Sequence, residues 1–283
     1  MKLGNLEVRN TRDLISPDTR ICALLYSPAK FGKTEFASSL AELVEKYRKK
    51  KTLVIACEVA EGGGTMSISR KGLDYVTPSN FTEMEGLIAQ LATDETYGGV
   101  ILDNATDYVI RIVRPHALKF PAKERVLGAR EVGVPVRSDY QVMAEVARQH
   151  LNKLVGLTNK NTPERYRKDL IVTALEKERT DDDGNLLSIT PDFPGALANV
   201  ATALFQSVVS IKIKQKVIPD LAGKPGATKR LSSRLLHVKA DGLRVGDDRT
   251  GIFQHDFPLT AEDGSPVGLL PMYEQWLVQF KKG

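Results

Sequence analysis

The sequence predicts an α/β fold, with a mostly parallel sheet flanked by helices and antiparallel strands added on the C-terminal side. Two features point to it. Four short, almost continuously apolar runs, Ile21–Leu25, Thr52–Cys57, Val100–Leu102 and Leu170–Leu175, have the pattern of strands buried on both faces, and helical spacing fills the gaps between the first three. From Val208 to Lys214 apolar and polar residues alternate instead, as in a strand with one solvated face.

Residues 1–19 are polar and mixed, and read as a lead-in. The first strand runs into Ser27-Pro28-Ala29-Lys30-Phe31-Gly32-Lys33-Thr34. Phe36, Leu40, Leu43 and Tyr47 follow at helical steps, and Ala37 and Val44 widen the apolar face. This unit matches the phosphate-binding pattern G-x-x-x-x-G-K-[ST] in all but its first position, which Ser27 holds. Inward-turned backbone N–H groups and the start of the following helix suit phosphate oxygens. Gly32 lets the backbone approach them closely. Lys33 is expected to reach the β- and γ-phosphates and the Thr34 hydroxyl to bind Mg²⁺, so ATP and Mg²⁺ are the expected cofactors. The expected nucleotide contacts span residues 27–35, ending at Glu35.

The basic run Tyr47–Lys51 falls where a helix C-terminus is expected, and cations complement the dipole there. The strand Thr52–Cys57 ends at Glu58, with Glu61 and three glycines close behind. Either acid, at the edge where open α/β sheets bind ligands, can polarise the water that attacks the γ-phosphate. Asn80 and Glu83 have the spacing of a helix-start cap ahead of Phe81, Met84, Leu87, Ile88 and Leu91. The strand from Gly98 then ends in Asp103, placed to complete the Mg²⁺ shell opposite Thr34.

With these elements in order, SPAKFGKT at 27–34, CEVAEGG at 57–63, VILDN at 100–104, DLIVTALEKE at 169–178 and KADGLRVGDDRTGIF at 239–253, the chain resembles a family. That family is the phage AAA-type nucleotide-binding proteins with a RecA-like P-loop ATPase core, which include RecA-like single-strand annealing recombinases. The resemblance implies a RecA-like ATPase domain over 20–256 and a C-terminal tail with a short helix over 257–283. It implies a homo-oligomer, ring or filament, acting on single-stranded DNA, with a single-strand-binding protein as a possible further partner. Two departures stand out. Ser27 replaces a glycine, and Leu175 stands where relatives often carry histidine, which leaves Thr173 and Glu176 as candidate γ-phosphate sensors.

The basic stretch from Arg111 to Arg137 would then face DNA, with Arg111, Arg114, Lys119, Lys123, Arg125 and Arg130 as cations and Phe120 among them. Cations with an interleaved aromatic suit a single strand's backbone and its stacked bases. In the tract KERTDDDGN, Lys177 and Arg179 are the better contacts, because the tip at Asp181–Asp183 is acidic; a plain β-hairpin is the alternative reading. By the same resemblance, Lys239, Arg244 or Arg249 would reach a neighbouring subunit's nucleotide. His116 and His150 have no partner at ligand or catalytic spacing.

Composition sets the bounds. A chain of 283 residues buries a sizeable core without disulfides or metals. Cys22 and Cys57, in expected buried strands, read as free thiols. Met1–Asn10 lacks the apolar core of a signal peptide and no run approaches a membrane span, so a cytoplasmic setting is expected, without membrane partners. The net charge of +5 permits a polyanionic partner without requiring one. The second functional class is a nucleotide-gated interaction protein, such as a helicase loader or assembly factor, which the acidic tip and Ser27 favour. A small-molecule kinase is weaker, because no lid-like arginine cluster is present.

Overall fold

A computed structural model describes residues 2–3, 6–7, 15–58, 66–119, 137–194, 197–219, 228–261 and 265–282. Near the N-terminus, β1 (Lys2–Leu3) and β2 (Leu6–Glu7) form a small antiparallel pair. The main elements follow: β3 (Cys22–Ser27), α1 (Lys33–Ser38), α2 (Leu40–Arg48), β4 (Lys51–Ala56), β5 (Asp74–Val76), α3 (Phe81–Leu91) and β6 (Tyr97–Asp103). Then come α4 (Ala105–Tyr108), a π-helical turn (Val109–Val113), α5 (Arg114–Ala117), α6 (Arg137–Gly156), β7 (Asp169–Thr180) and β8 (Leu186–Pro191). The chain closes with α7 (Leu197–Leu204), β9 (Ser207–Pro219), β10 (Thr228–His237), β11 (Asp247–Asp248) and α8 (Leu270–Lys282).

The main sheet has the order β10-β9-β3-β7-β6-β4-β5. Every pair from β9 to β5 is parallel, while β10 and β11 run antiparallel to β9. The expected antiparallel addition therefore begins one strand later than the alternation suggested, because β9 itself joins β3 in parallel. Successive strand residues face opposite layers, which explains the continuous apolar runs. Leu24, Tyr26, Ile55, Leu102 and Val172 pack toward Met84, Tyr108, Leu151 and Ala201. Ala23, Leu25, Val54, Ile101 and Ile171 pack toward Phe36, Leu40, Leu43, Met272 and Trp276. Each fully buried large aliphatic contributes about 1.5–3 kcal/mol. Both cysteines are free and buried, as expected.

Local chemistry sets several boundaries. Asn80 caps α3 by accepting from Glu83 N at 3.0 Å, and the Glu83 carboxylate accepts in return from Ser79 N at 2.8 Å. Asn104 caps α4 in the same way, accepting from Asp107 N at 2.8 Å. The helix of the phosphate-loop unit is broken at Ser39, between α1 and α2. A Cβ on Gly99 would lie 2.6 Å from Thr52 Oγ1 and 2.9 Å from Val44 Cγ2, so glycine lets α2 settle directly on the sheet.

Three expectations need correction. The segment after Asp103 is helical from Ala105 to Ala117 rather than irregular from Arg111; its cations and Pro115 hide the helical pattern. The fourth strand does not stop at Leu175. It continues to Thr180 and pairs with β8, giving a hairpin whose turn holds Gly184 at φ +83°. The helical spacing of Tyr140, Met143, Val146, Ala147, His150, Leu151, Leu154 and Val155 predicts that all face inward, but on α6 Tyr140 is 43% exposed.

A buried polar knot ties the ends of the chain to the sheet. Asp169 accepts from Ile21 N at 2.7 Å and from Arg48 Nε at 3.0 Å, with Arg20 Nη1 3.6 Å away. Arg48 also donates to the Tyr273 hydroxyl at 3.1 Å, and that hydroxyl donates to Pro17 O at 3.0 Å. Three residues beyond Tyr273, Trp276 Nε1 donates to Thr250 O at 3.0 Å, and the residue is only 5% exposed, so α8 docks as part of the core.

Candidate functional site

The site forms at the C-terminal ends of β3, β6 and β7, the edge where open α/β sheets bind ligands. Beyond β3 the chain turns through 28–32 into α1. Lys30 and Gly32 take left-handed conformations, at φ +66° and +90°. Glycine adopts that region freely, whereas Lys30 does so at about 1–2 kcal/mol. Ser27 has no positive φ, so the fold does not require a glycine there. Its hydroxyl turns to Pro28 O at 3.1 Å.

Lys33 is 7% exposed. Its ammonium donates to Pro28 O at 2.7 Å and Ser27 O at 2.9 Å, and so is held by the carbonyls of its own loop. Burial pushes its pKa down to about 8, although Asp103, Glu176 and Glu58 pull the other way. Thr34 Oγ1 donates to Asp103 Oδ2 at 2.7 Å, and Thr173 Oγ1 donates to Asp103 Oδ1 at 2.5 Å. A hydroxyl on each oxygen fixes the plane of a carboxylate that is 1% exposed. Hydroxyl and carboxylate oxygens are the hard donors that Mg²⁺ prefers. With an ammonium and a glycine-bearing loop beside them, the residues present fit a Mg²⁺–nucleotide.

The other candidates divide. Arg111 Nη1 donates to the carbonyls of Cys57, at 2.9 Å, and Glu58, so it anchors the end of β4 rather than facing solvent. Glu58 is partly buried beside the loop, and Glu61 lies outside the described residues. Glu176 is paired with Arg244 at 2.7 Å in a largely buried contact within the chain, and Lys33 feels its charge. Arg249 pairs with Asp247 at 3.2 Å on the surface, and Lys239 is exposed. Arg114 and Lys177 line one recess of about 200 Å³ with Ile110, Tyr140 and Phe193. Lys119 and Arg179 are exposed, while Phe120, Lys123, Arg125 and Arg130 lie outside the described residues.

Two residues near the site went unmarked by any motif. Thr106 Oγ1 accepts from Leu175 N at 3.0 Å and donates to Asp192 O at 3.1 Å, joining β7 to the exit of β8. Arg234, from β10, reaches the phosphate loop: its Nη1 lies 2.6 Å from where a Cβ on Gly32 would stand. Both are brought in by sheet order, which leaves no local trace in sequence.

His237, His255 and Asp256 place three ligand-type atoms within 4.8 Å of one another. Their existing contacts argue against a metal. His255 Nδ1 accepts from the N–H groups of Val238 and Lys239, at 3.2 and 3.3 Å, so it cannot carry the proton that a metal-bound imidazole keeps on its second nitrogen. Lys212 Nζ already sits 2.9 Å from both His237 Nδ1 and Asp256 Oδ1.

A family model described as an AAA domain matches residues 19–249. The chain belongs to this AAA-domain family of P-loop ATPases. Among curated proteins nothing matches it. Among the solved structures similar to it are two of low identity. One is the flagellar accessory protein FlaH from Methanocaldococcus jannaschii, at 8% identity, TM-score 0.38, covering 84% of this chain and 88% of that one. The other is a KaiC-like protein from Pyrococcus horikoshii, at 11% identity, TM-score 0.35, covering 76% of each chain. Neither likeness is close enough to carry a functional inference. No helix among the described residues is long and apolar enough to cross a membrane.

Proposed function

We propose that this AAA-family protein binds ATP with Mg²⁺ at the loop 27–35, hydrolyses it, and couples the cycle to single-stranded DNA during annealing or strand exchange. The observation that carries the nucleotide reading is the Thr34–Asp103 contact of 2.7 Å at the mouth of a loop whose lysine bonds only to loop oxygens. In this reading Lys33 leaves the Ser27 and Pro28 carbonyls for the phosphates. Thr34 and Asp103 hold Mg²⁺, which when bound neutralises charge on the phosphate oxygens. Thr173 is a positioning residue: its hydroxyl keeps one Asp103 oxygen occupied so that the other faces Thr34. Glu58 or Glu61 accepts the proton of the attacking water.

Support for the DNA partner comes from Arg114 and Lys177, two cations on one recess with the half-exposed Tyr140. Cation-flanked aromatics suit phosphates and stacked bases. Assembly as a homo-oligomer, ring or filament, belongs to the same proposal, with one or more of Lys239, Arg244 and Arg249 as a contact to a neighbour's nucleotide; of these, Arg244 would first have to leave Glu176. The alternative, a nucleotide-gated interaction protein, is favoured by two observations. Arg111 is already committed to backbone carbonyls, and the hairpin tip carries the exposed acids Asp182 and Asp183.

The deciding experiment is ATP hydrolysis with and without single-stranded DNA, with Lys33→Ala as the blank. Stimulation that disappears in the mutant and weakens with added salt supports the DNA reading. Hydrolysis indifferent to DNA selects the interaction protein. ATP binding that survives Lys33→Ala undiminished refutes the site.

A further inference from the structure

Arg234 is an exposed residue whose backbone is fixed from both sides. It pairs with Ile213 across the β9–β10 ladder, and its carbonyl accepts from Leu259 N at 2.9 Å. Its guanidinium packs on the phosphate loop. Nη1 lies 2.6 Å, and Cζ 3.6 Å, from the Cβ position that Gly32 leaves empty. Glycine at 32 therefore has a second role beyond its backbone angle, since a side chain there would displace the arginine.

An arginine beside protein backbone usually answers to a carboxylate. The recess next to the loop, about 150 Å³, is lined by Glu35 and Glu42 as well as Arg234, Phe36 and Leu259. Glu35, however, is 3.1 Å from Lys71, and among the described residues no carboxylate lies within ion-pair distance of Arg234. Two cations thus converge on one loop, Lys33 from α1 and Arg234 from β10. The first is bonded only to carbonyl and hydroxyl oxygens. The second has no hydrogen-bond acceptor among the described residues. Two cations set on one loop form a cradle suited to an anionic oxygen.

We propose that Arg234 belongs to the nucleotide site of its own subunit, where its guanidinium binds an anionic oxygen of the phosphate tail. The planar, always-charged fork of arginine matches phosphate oxygens well. The assignment rests on the ATP reading above and adds a cis-acting cation that no motif marks. It also sets Arg234 apart from Lys239, Arg244 and Arg249, whose proposed role is toward a neighbouring subunit.

The test is calorimetric titration of ATP, ADP and adenosine into the full chain and its variants. With wild type binding ATP and Lys33→Ala losing it, the ATP reading stands. Arg234→Ala and Arg234→Gln should then weaken ATP by about tenfold or more, the scale of a charge-assisted hydrogen bond. Adenosine binding should not change, and Arg234→Lys should recover part of the loss. Unchanged ATP affinity in Arg234→Gln overturns the proposal and leaves the ATP reading intact. An equal loss for adenosine overturns it too, by moving the contact to the base or sugar. Failure of wild type to bind ATP removes both. Mixing Arg234→Ala with Lys33→Ala subunits separates cis from trans: action in cis predicts no recovery of hydrolysis, because no subunit holds both cations. Recovery in the mixture would overturn the cis assignment.

Discussion

Raising the pH from 7 to 9.5 should weaken ATP binding, and Lys33 sets the size of the effect. In the free protein burial holds its pKa down at about 8. A bound phosphate favours the ammonium, so the pKa in the complex lies above that value. Binding therefore takes up a proton wherever the pH exceeds about 8, and affinity falls as the pH rises. One proton limits the slope to tenfold per pH unit, about 1.4 kcal/mol. Across the whole interval the loss comes to about thirtyfold, or about 2 kcal/mol. Calorimetry in two buffers of different ionisation enthalpy counts the protons directly: almost none at pH 7 and about one at pH 9.5. Lys33→Arg stays charged throughout and should abolish the uptake. Lys168 is also pushed down to about 8 by burial, but it donates to the Asp94 and Tyr97 carbonyls, so it does not enter the nucleotide linkage. Both lysines do affect folding. Their folded pKa values lie below the unfolded ones, so the unfolded chain binds more protons above pH 8, and the stability of the free protein rises from there toward the ordinary lysine range. The absence of proton uptake by wild type at pH 9.5, or uptake that persists in Lys33→Arg, would refute this account of the loop.

Three further outcomes are expected. Asp169→Asn leaves Arg20 and Arg48 buried without their counter-charge and should cost about 3–5 kcal/mol in urea unfolding; a loss below about 1 kcal/mol would contradict the polar knot. Thr173→Val keeps the shape of β7 but removes the hydroxyl on Asp103, so Mg²⁺-dependent turnover should fall by about tenfold to a hundredfold with the melting temperature little changed. Of Glu58→Gln and Glu61→Gln, one should reduce kcat by about 10²–10⁴ with ATP affinity intact, which identifies the base; two silent substitutions would mean that neither acid serves.

The sequence carried the strands and the phosphate loop openly, because burial on both faces demands continuous apolar runs and the loop has little chemical latitude. Ser27 looked like a defect only by comparison with a pattern; its backbone angle shows that no glycine is needed. What could not be read was anything created by strand order. Arg234 and Gly32 are brought together because β10 follows β9 onto the edge beside β3, and nothing local to either residue announces it. The helix from Ala105 was hidden for another reason: its cations and Pro115 break the apolar period, yet Tyr108, Val109, Ile112 and Val113 are buried through a π-helical turn that shifts the phase. The pairing of Glu176 with Arg244 likewise depends on the loop after β10 folding back over the end of β7.

The docking of α8 has a practical consequence. Trp276 is the chain's only tryptophan, hydrogen-bonded to Thr250 and with its ring 5.5 Å from that of Tyr273. Thr250 in turn donates through its hydroxyl to Asp248 of β11, which also accepts from Ser207 at the start of β9. Tryptophan emission, excited selectively over the eight tyrosines, therefore comes from one known joint between the C-terminal helix and the sheet edge bearing β9, β10 and Arg234. A shift in that emission on adding nucleotide would time the motion of this edge in the unlabelled, unmutated protein.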